Sequence, residues 1–419
     1  MIYYVDNACG NNEGGGRSPQ QAVRDYTRLS LQPGDSLLFK RGSVYHGELV
    51  LTLGQQGAPI TYGAYGEGEA PVFTGGTDVS APEDWAPTPR QNVWKCLRHT
   101  HGQVGNFVFD GDPSTAALRW TAEELGRQGD FFDDLFVQDY SGRPFTLPQR
   151  EGHVYLYSEG NPATVYRRIV AVDYRPCLCT LRDHVVLDGL CFQNNSVHAL
   201  AGGGGRDVTV RNCHFENIGG CVWSHALRIR LGNAVEFWDV GEDVLVEHCT
   251  FKNIFDSCVT HQGPGDKTRP AVNFTVRHCL FENYGMAAFE YRDKVPVNAV
   301  FAGNTCLNAG VGFAVADGEL PRRSEIWPQP MGHHLFLWRL EQGTQGGSIL
   351  VENNVFGPAP IGAAVYSVAS PEAEAQVTLR NNRYTPNATL LIRWDGRDFH
   401  DLDTYRRACG QDEGSVYGE

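Results

Sequence analysis

From Val208 to Asn308 the apolar positions recur on two scales at once. Within a segment such as Val276-Arg277-His278, apolar and polar residues alternate with period two, as in a half-buried strand. Between segments, VTVRNCHFEN (208–217), VLVEHCTFKN (244–253) and FTVRHCLFEN (274–283) repeat one pattern. It brings Cys213, Cys249 and Cys279 into one column, Phe215, Phe251 and Phe281 into a second, and Asn217, Asn253 and Asn283 into a third. Weaker copies extend the cysteine column through Leu190, Asn304, Asn354 and Asn382, at steps of 23, 36, 30, 25, 50 and 28 residues from Leu190 to Asn382. A unit this short cannot bury its apolar face alone, so neighbouring copies must stack. The pattern predicts an all-β solenoid, a parallel β-helix with one winding per copy and like residues about 4.8 Å apart along the axis. A β-sandwich is the competing all-β reading, but it has no reason to produce columns in one register.

Residues 1–80 carry a strand at Ile2–Val5, then a short capping helix with Ser18 as N-cap, Pro19 in its first turn, and Ala22, Tyr26 and Leu29 on one face. The first windings follow the turn Pro33-Gly34-Asp35. Residues 81–166 break the pattern and are expected to form an inserted β-rich subdomain, with a helix at Thr121–Arg127. Its acidic run, Asp130, Asp133, Asp134 and Asp139, suits a solvated face. The main β-helix is expected over 167–396, and a C-terminal tail or cap over 397–419 with a short helix at Leu402–Ala408.

These repeats, together with the opening YYVDNACGNNEGG, the turn PGDSLLFKRG and the segment TYGAYGEGEAPVFTGG, resemble the right-handed parallel β-helix, or pectin-lyase-like, superfamily. The resemblance covers most of the chain. It implies the solenoid fold strongly and one chemistry weakly, because the superfamily holds lyases, polygalacturonases, other glycoside hydrolases, epimerases and non-catalytic adhesins. The pair GNAVEFW and FDSCVTHQG is similar to glycosidase members such as glycoside hydrolase family 141. In polygalacturonase-like members an Asp-Asp pair precedes a Cys-Val strand. Here Asp256-Ser257-Cys258-Val259 keeps the first Asp and replaces the second.

Composition narrows the partners. The formal net charge of −14 argues against nucleic acid, whose phosphates need a basic surface. No run of about 18 apolar residues exists to span a bilayer. The 12 cysteines show no metal-ligand spacing, and several sit in a solenoid column as small apolar fillers. Reduced thiols and a cytoplasmic location are expected, with Met1 leading straight into a strand and not a signal peptide. Secretion with the leader removed is the alternative.

A β-helix fills its own interior, so chemistry must sit on an outer face between protruding loops. Two long inter-copy stretches, WSHALRIRLGNAVEFWD (223–239) and ELPRRSEIWPQPMGHH (319–334), leave the winding after the recurring Asn position and are expected to wall one groove. Aligning the strands that follow that Asn puts Glu236 beside Thr260 and Thr260 beside Glu290, with Trp238 beside Gln262 and Gln262 beside Arg292. Asp256 precedes the middle strand. Glu236, Asp256 and Glu290 are therefore the candidate catalytic carboxylates of a glycoside hydrolase acting on plant- or microbe-derived oligo- or polysaccharide. Substrate contacts are expected from Asn233, Trp238, His261, Gln262, Tyr291 and Arg292, and from His225, Arg228, Asp317 and His334. His261 equally suits the interior, and Glu236 and Glu290 equally suit a ladder face paired with Arg228 or Arg292. A polysaccharide lyase of uronate-containing glycans is the second reading, with Arg292, Lys294, Lys252 or Lys267 as base and Ca²⁺ as helper. A non-catalytic carbohydrate-binding β-helix is the third. No cofactor or metal is expected for the hydrolase; a site of His225, His261 and His333 has no supporting spacing.

Overall fold

The computed structural model describes residues 1–98, 102–137, 152–316, 319, 331–386 and 390–418. Three long parallel sheets run its length, two of ten strands and one of nine. Each winding gives one strand to each sheet, as in Glu242–Glu247, Thr250–Ile254 and Ser257–Gln262, which lie under Val272–Arg277, Leu280–Tyr284 and Ala287–Arg292. The register stacks identical residues: Phe215 pairs with Phe251 and Phe251 with Phe281. Their rings are nearly parallel with centroids 4.8 Å apart, and Phe192 continues the stack at 5.5 Å from Phe215. All four are fully buried, each worth roughly 1.5–3 kcal/mol of transfer free energy.

The cysteine column has one physical rule. Cys249 and Cys279 point their thiols at the carbonyls of Val210 and Val246, one winding back. Asn304, Asn354 and Asn382 take over the column and donate Nδ2–H to the carbonyls of Val276, Phe301 and Val351, the same carbonyl row. A thiol is a weak donor and an amide a strong one, so the column passes from apolar filling to a hydrogen-bonded ladder. All 12 cysteines are free thiols.

A second amide ladder holds the corner before the third sheet. Asn194, Asn217, Asn253, Asn283 and Asn308 all have φ between 54° and 58°, a left-handed conformation that Asn tolerates better than other side-chain-bearing residues. Each hands Nδ2–H to the Oδ1 of the one before, at 3.0–3.3 Å.

Between Thr77 and Val172 the chain leaves the winding to build a five-stranded and a three-stranded sheet around a core of its own. That core takes in Val222, Phe255 and Phe313 from the solenoid. Arg230 pins the junction: buried, with its guanidinium against the Phe255 ring, it donates to the carbonyls of Gly105, Gly220 and Ala314.

Local expectations need correcting. The N-terminal capping helix is two single 3₁₀ turns, Pro19–Gln21 and Tyr26–Arg28, and Ser18 makes no side-chain cap. The helix expected at Thr121–Arg127 is one 3₁₀ turn at Ala122–Glu124. The acidic run is not a solvated face where it is described: Asp130 is buried against Arg119, and Asp133 is buried accepting from the backbone of Val104 and Leu135. Asp139 lies outside the described residues. The C-terminal helix spans Leu402–Cys409. No described helix is long and apolar enough to cross a membrane.

Candidate active site

Strands of the third sheet alternate between core and exterior. In Val235–Trp238 the core takes Val235 and Phe237, which turns Glu236 and Trp238 outward. The next two strands pair in register, Glu236 with Thr260, Thr260 with Glu290, and Trp238 with Gln262. A cleft of about 800 Å³ lies over these outward positions and over Cys177–Thr180 and His198–Ala201, the two preceding strands. The hairpin of Cys221–Ser224 and Ile229–Leu231, which is the first of the two long inter-copy stretches, supplies one wall through Trp223, Ile229 and Leu231. Trp238, 48% exposed, stands at the rim.

Both glutamates are held by side chains on either side of them along the sheet. Glu236 Oε2 accepts from Asn233 Nδ2 at 2.7 Å and from Gln262 Nε2 at 2.6 Å. Both donors land on one oxygen, so Oε1 is left for the cleft. Glu290 is engaged at both oxygens: its Oε2 accepts from Ser257 Oγ at 3.1 Å and Thr260 Oγ1 at 3.3 Å, and its Oε1 from Arg292 Nε and Nη2 at 2.9 and 2.7 Å. Asn233 lies two residues before the strand Val235–Trp238, Ser257 opens the next strand, and Asp256 precedes Ser257; all three carboxylates line the one cleft. Burial pushes the Glu290 carboxyl above the usual range and Asp256 adds to the rise, while Arg292 and Ser257 oppose it.

The backbone also serves the site. The Asn233 side chain bridges it, its Oδ1 accepting from the Ser257 backbone N–H at 3.0 Å while its Nδ2 holds Glu236. His198 Nδ1 accepts from the Asn233 backbone N–H at 3.0 Å. That fixes the neutral tautomer with its proton on Nε2, which faces Glu236 Oε2 at 3.7 Å.

Residues 152–320 match the family model described as the right handed beta helix region. Among solved structures, the family 136 glycoside hydrolase lacto-N-biosidase from Eubacterium ramulus superposes at TM-score 0.54 with 15% identity, over 94% of this chain and 62% of its own. The complex of XylC with xylose superposes at TM-score 0.56 with 10% identity, over 100% of this chain and 83% of its own. The chain thus spans under two thirds of the lacto-N-biosidase's length. The chain folds as a right-handed parallel β-helix. No curated protein matches its sequence.

On this β-helix, Glu236, Asp256, Glu290, Asn233, Trp238, Gln262 and Arg292 line one cleft. Other expected contacts do not reach it. His261 and Tyr291 alternate inward and are buried; His261 packs edge-on to Phe274 and Tyr291 edge-on to Phe289. His334 is buried between the Tyr284 hydroxyl and the Gly357 carbonyl. His225 is spent on the inserted subdomain, its Nε2 bonding the Trp120 carbonyl at 2.7 Å, and exposed Arg228 lies over the Trp120 ring. Asp317 lies outside the described residues, as does most of the second long stretch. Of the lysines considered as a base, Lys252 belongs to the second sheet, and neither Lys267 nor Lys294 is among the lining residues. Among the described residues no three His, Cys, Asp or Glu are grouped to hold a metal ion. Sequence reasoning misses His198 and Trp223. Carrying the register one winding back from Asn233 lands on His198, since Leu200 pairs with Val235, but that winding lacks the repeated motif that would have shown it.

Proposed function

We propose that this β-helix is a glycoside hydrolase that cleaves an oligo- or polysaccharide in the cleft over its third sheet. The observation that carries the reading is the convergence of three buried carboxylates on one cleft rimmed by an exposed tryptophan. Glycoside hydrolysis runs on two carboxyl groups flanking the scissile bond, and aromatic rings suit the apolar faces of sugars. Asp256 and Glu236 are the pair we assign to proton transfer and to attack. Glu236 receives two N–H donors on Oε2, which fix its orientation in the cleft, and we assign it as the base or nucleophile. Asp256 then serves as the proton donor to the leaving oxygen. Glu290, with both oxygens already accepting, is a positioning residue that holds Arg292, Ser257 and Thr260 in place.

The lyase reading needs a free cationic base and charge to neutralise a uronate. Among the described lining residues Arg292 is the one cation, and Glu290 already holds it. The assay that decides is product chemistry. Hydrolysis of a polysaccharide panel should release reducing ends without the ultraviolet absorbance of an unsaturated uronate; absorbance appearing with the new ends would reverse the reading in favour of elimination.

A further inference from the structure

The cleft has one blocked end. One winding beyond Glu290 and Arg292, the same outward positions are held by Phe336 and Trp338. Phe336 points away from the core yet is only 1% exposed. It packs with Met286, Met331, Trp338 and Tyr366, and Tyr366 occupies its position in the following winding. An aromatic block two windings deep therefore stands against the carboxylates. At the opposite end the described outer residues remain exposed. Thr180 lines the cleft and bonds Glu48 of the neighbouring winding, where Glu48 is exposed and Val50 is 57% exposed.

Accepting the hydrolase reading, we infer that the enzyme acts on chain ends, removing a neutral mono- or disaccharide from the terminus of its substrate. Lining residues come from five successive strands, so the floor is about 19 Å long at roughly 4.8 Å per strand. A pyranose advances a glycan by about one such spacing. Asp256 begins the fourth of those strands and the block begins on the sixth, which leaves room for one or two sugar rings on the closed side. The longer remainder extends over His198–Ala201 and Cys177–Thr180 to the opposite end. The terminal unit is neutral because, among the described lining residues, Arg292 is the one cation and is already ion-paired, and three carboxylates line the cleft.

The test is a product time course on reducing-end-labelled neutral oligosaccharides of increasing length, with a ring-closed oligosaccharide of each linkage as control. The expected result is one small product from the first time point, a labelled remainder shortened in equal steps, and an intact ring. Mid-chain fragments or ring opening would show hydrolysis without end selection, and would overturn this inference while leaving the hydrolase reading standing. Release of nothing from any probe would instead reject the hydrolase reading, and this inference with it.

Discussion

Two groups of buried polar side chains run along this solenoid, and they are built in opposite ways. Asn304, Asn354 and Asn382 are almost fully buried, and every amide is matched: each accepts from a backbone N–H or a neighbouring amide and donates to a carbonyl. The group is neutral and repeats with the winding. Glu236, Asp256 and Glu290 are buried too, but they are all carboxyl groups, break the repeat, and face an 800 Å³ cleft. Burial of polar atoms alone does not mark a site. Several carboxyl groups gathered on one cavity point to a use, because their burial together costs stability that folding does not require.

The contrast breaks most sharply at the carboxylates. Asp256→Asn and Glu236→Gln should each lower turnover by roughly two to four orders of magnitude, the usual worth of a positioned acid or base, with urea midpoints close to the parent's. Near-parent turnover in both would remove the catalytic assignment. The ladder should answer in the opposite way. Asn354→Ala leaves the buried N–H of Asn304 without its acceptor and should cost about 1–3 kcal/mol in urea unfolding, with activity per folded molecule unchanged. Asn354→Cys should lose less, since the same column accepts Cys249 and Cys279. Equal losses would show that the column does not act as a single structural rule.

Smaller effects sharpen the line between cleft and core. Trp238→Ala should raise KM about fivefold while kcat moves little, as loss of about 1 kcal/mol of ring contact would do. A fall in kcat alone would place Trp238 in the chemistry. Burial pushes the His261 imidazole down to about 4, against the pull of Asp239. An ordinary histidine titrates near 6.5, so between these values the unfolded chain binds the extra proton. The stability that neutral His261 contributes is present above about pH 6.5 and is lost as pH falls toward 4. His261→Leu should flatten that part of the pH–stability curve and leave kcat unchanged. An unaltered curve, or a changed kcat, would return His261 to the cleft.

The fold was legible because stacking writes itself into the sequence. Phe215, Phe251 and Phe281 are spaced by whole windings, and identical spacing is what a column requires. The pairing of Glu236, Thr260 and Glu290 was legible for the same reason. Orientation was harder: a period of two gives two faces, and polar character put Tyr291 on the outer one and left His261 open between the two, whereas both are buried inside. Each ring packs on core aromatics, which outweighs its polar atoms. His334 and His225 failed through tertiary partners, Tyr284 and Trp120, that no local pattern announces. The N-terminal cap shows propensity giving way to packing: Tyr26 rests on Phe39 from a 3₁₀ turn, without needing a helix.

The left-handed asparagines at the corner have an evolutionary consequence. Asp256 follows Asn253 by three residues, and Met286 follows Asn283 by the same three. Gain or loss of an entire repeat would slide the acids along the molecule like beads on a rail, still facing the same way. A single added residue between Asn253 and Asp256 would swing the carboxyl off that line. Lineages of such proteins are therefore free to lengthen the groove by duplication, but not to edit the corner that aims it.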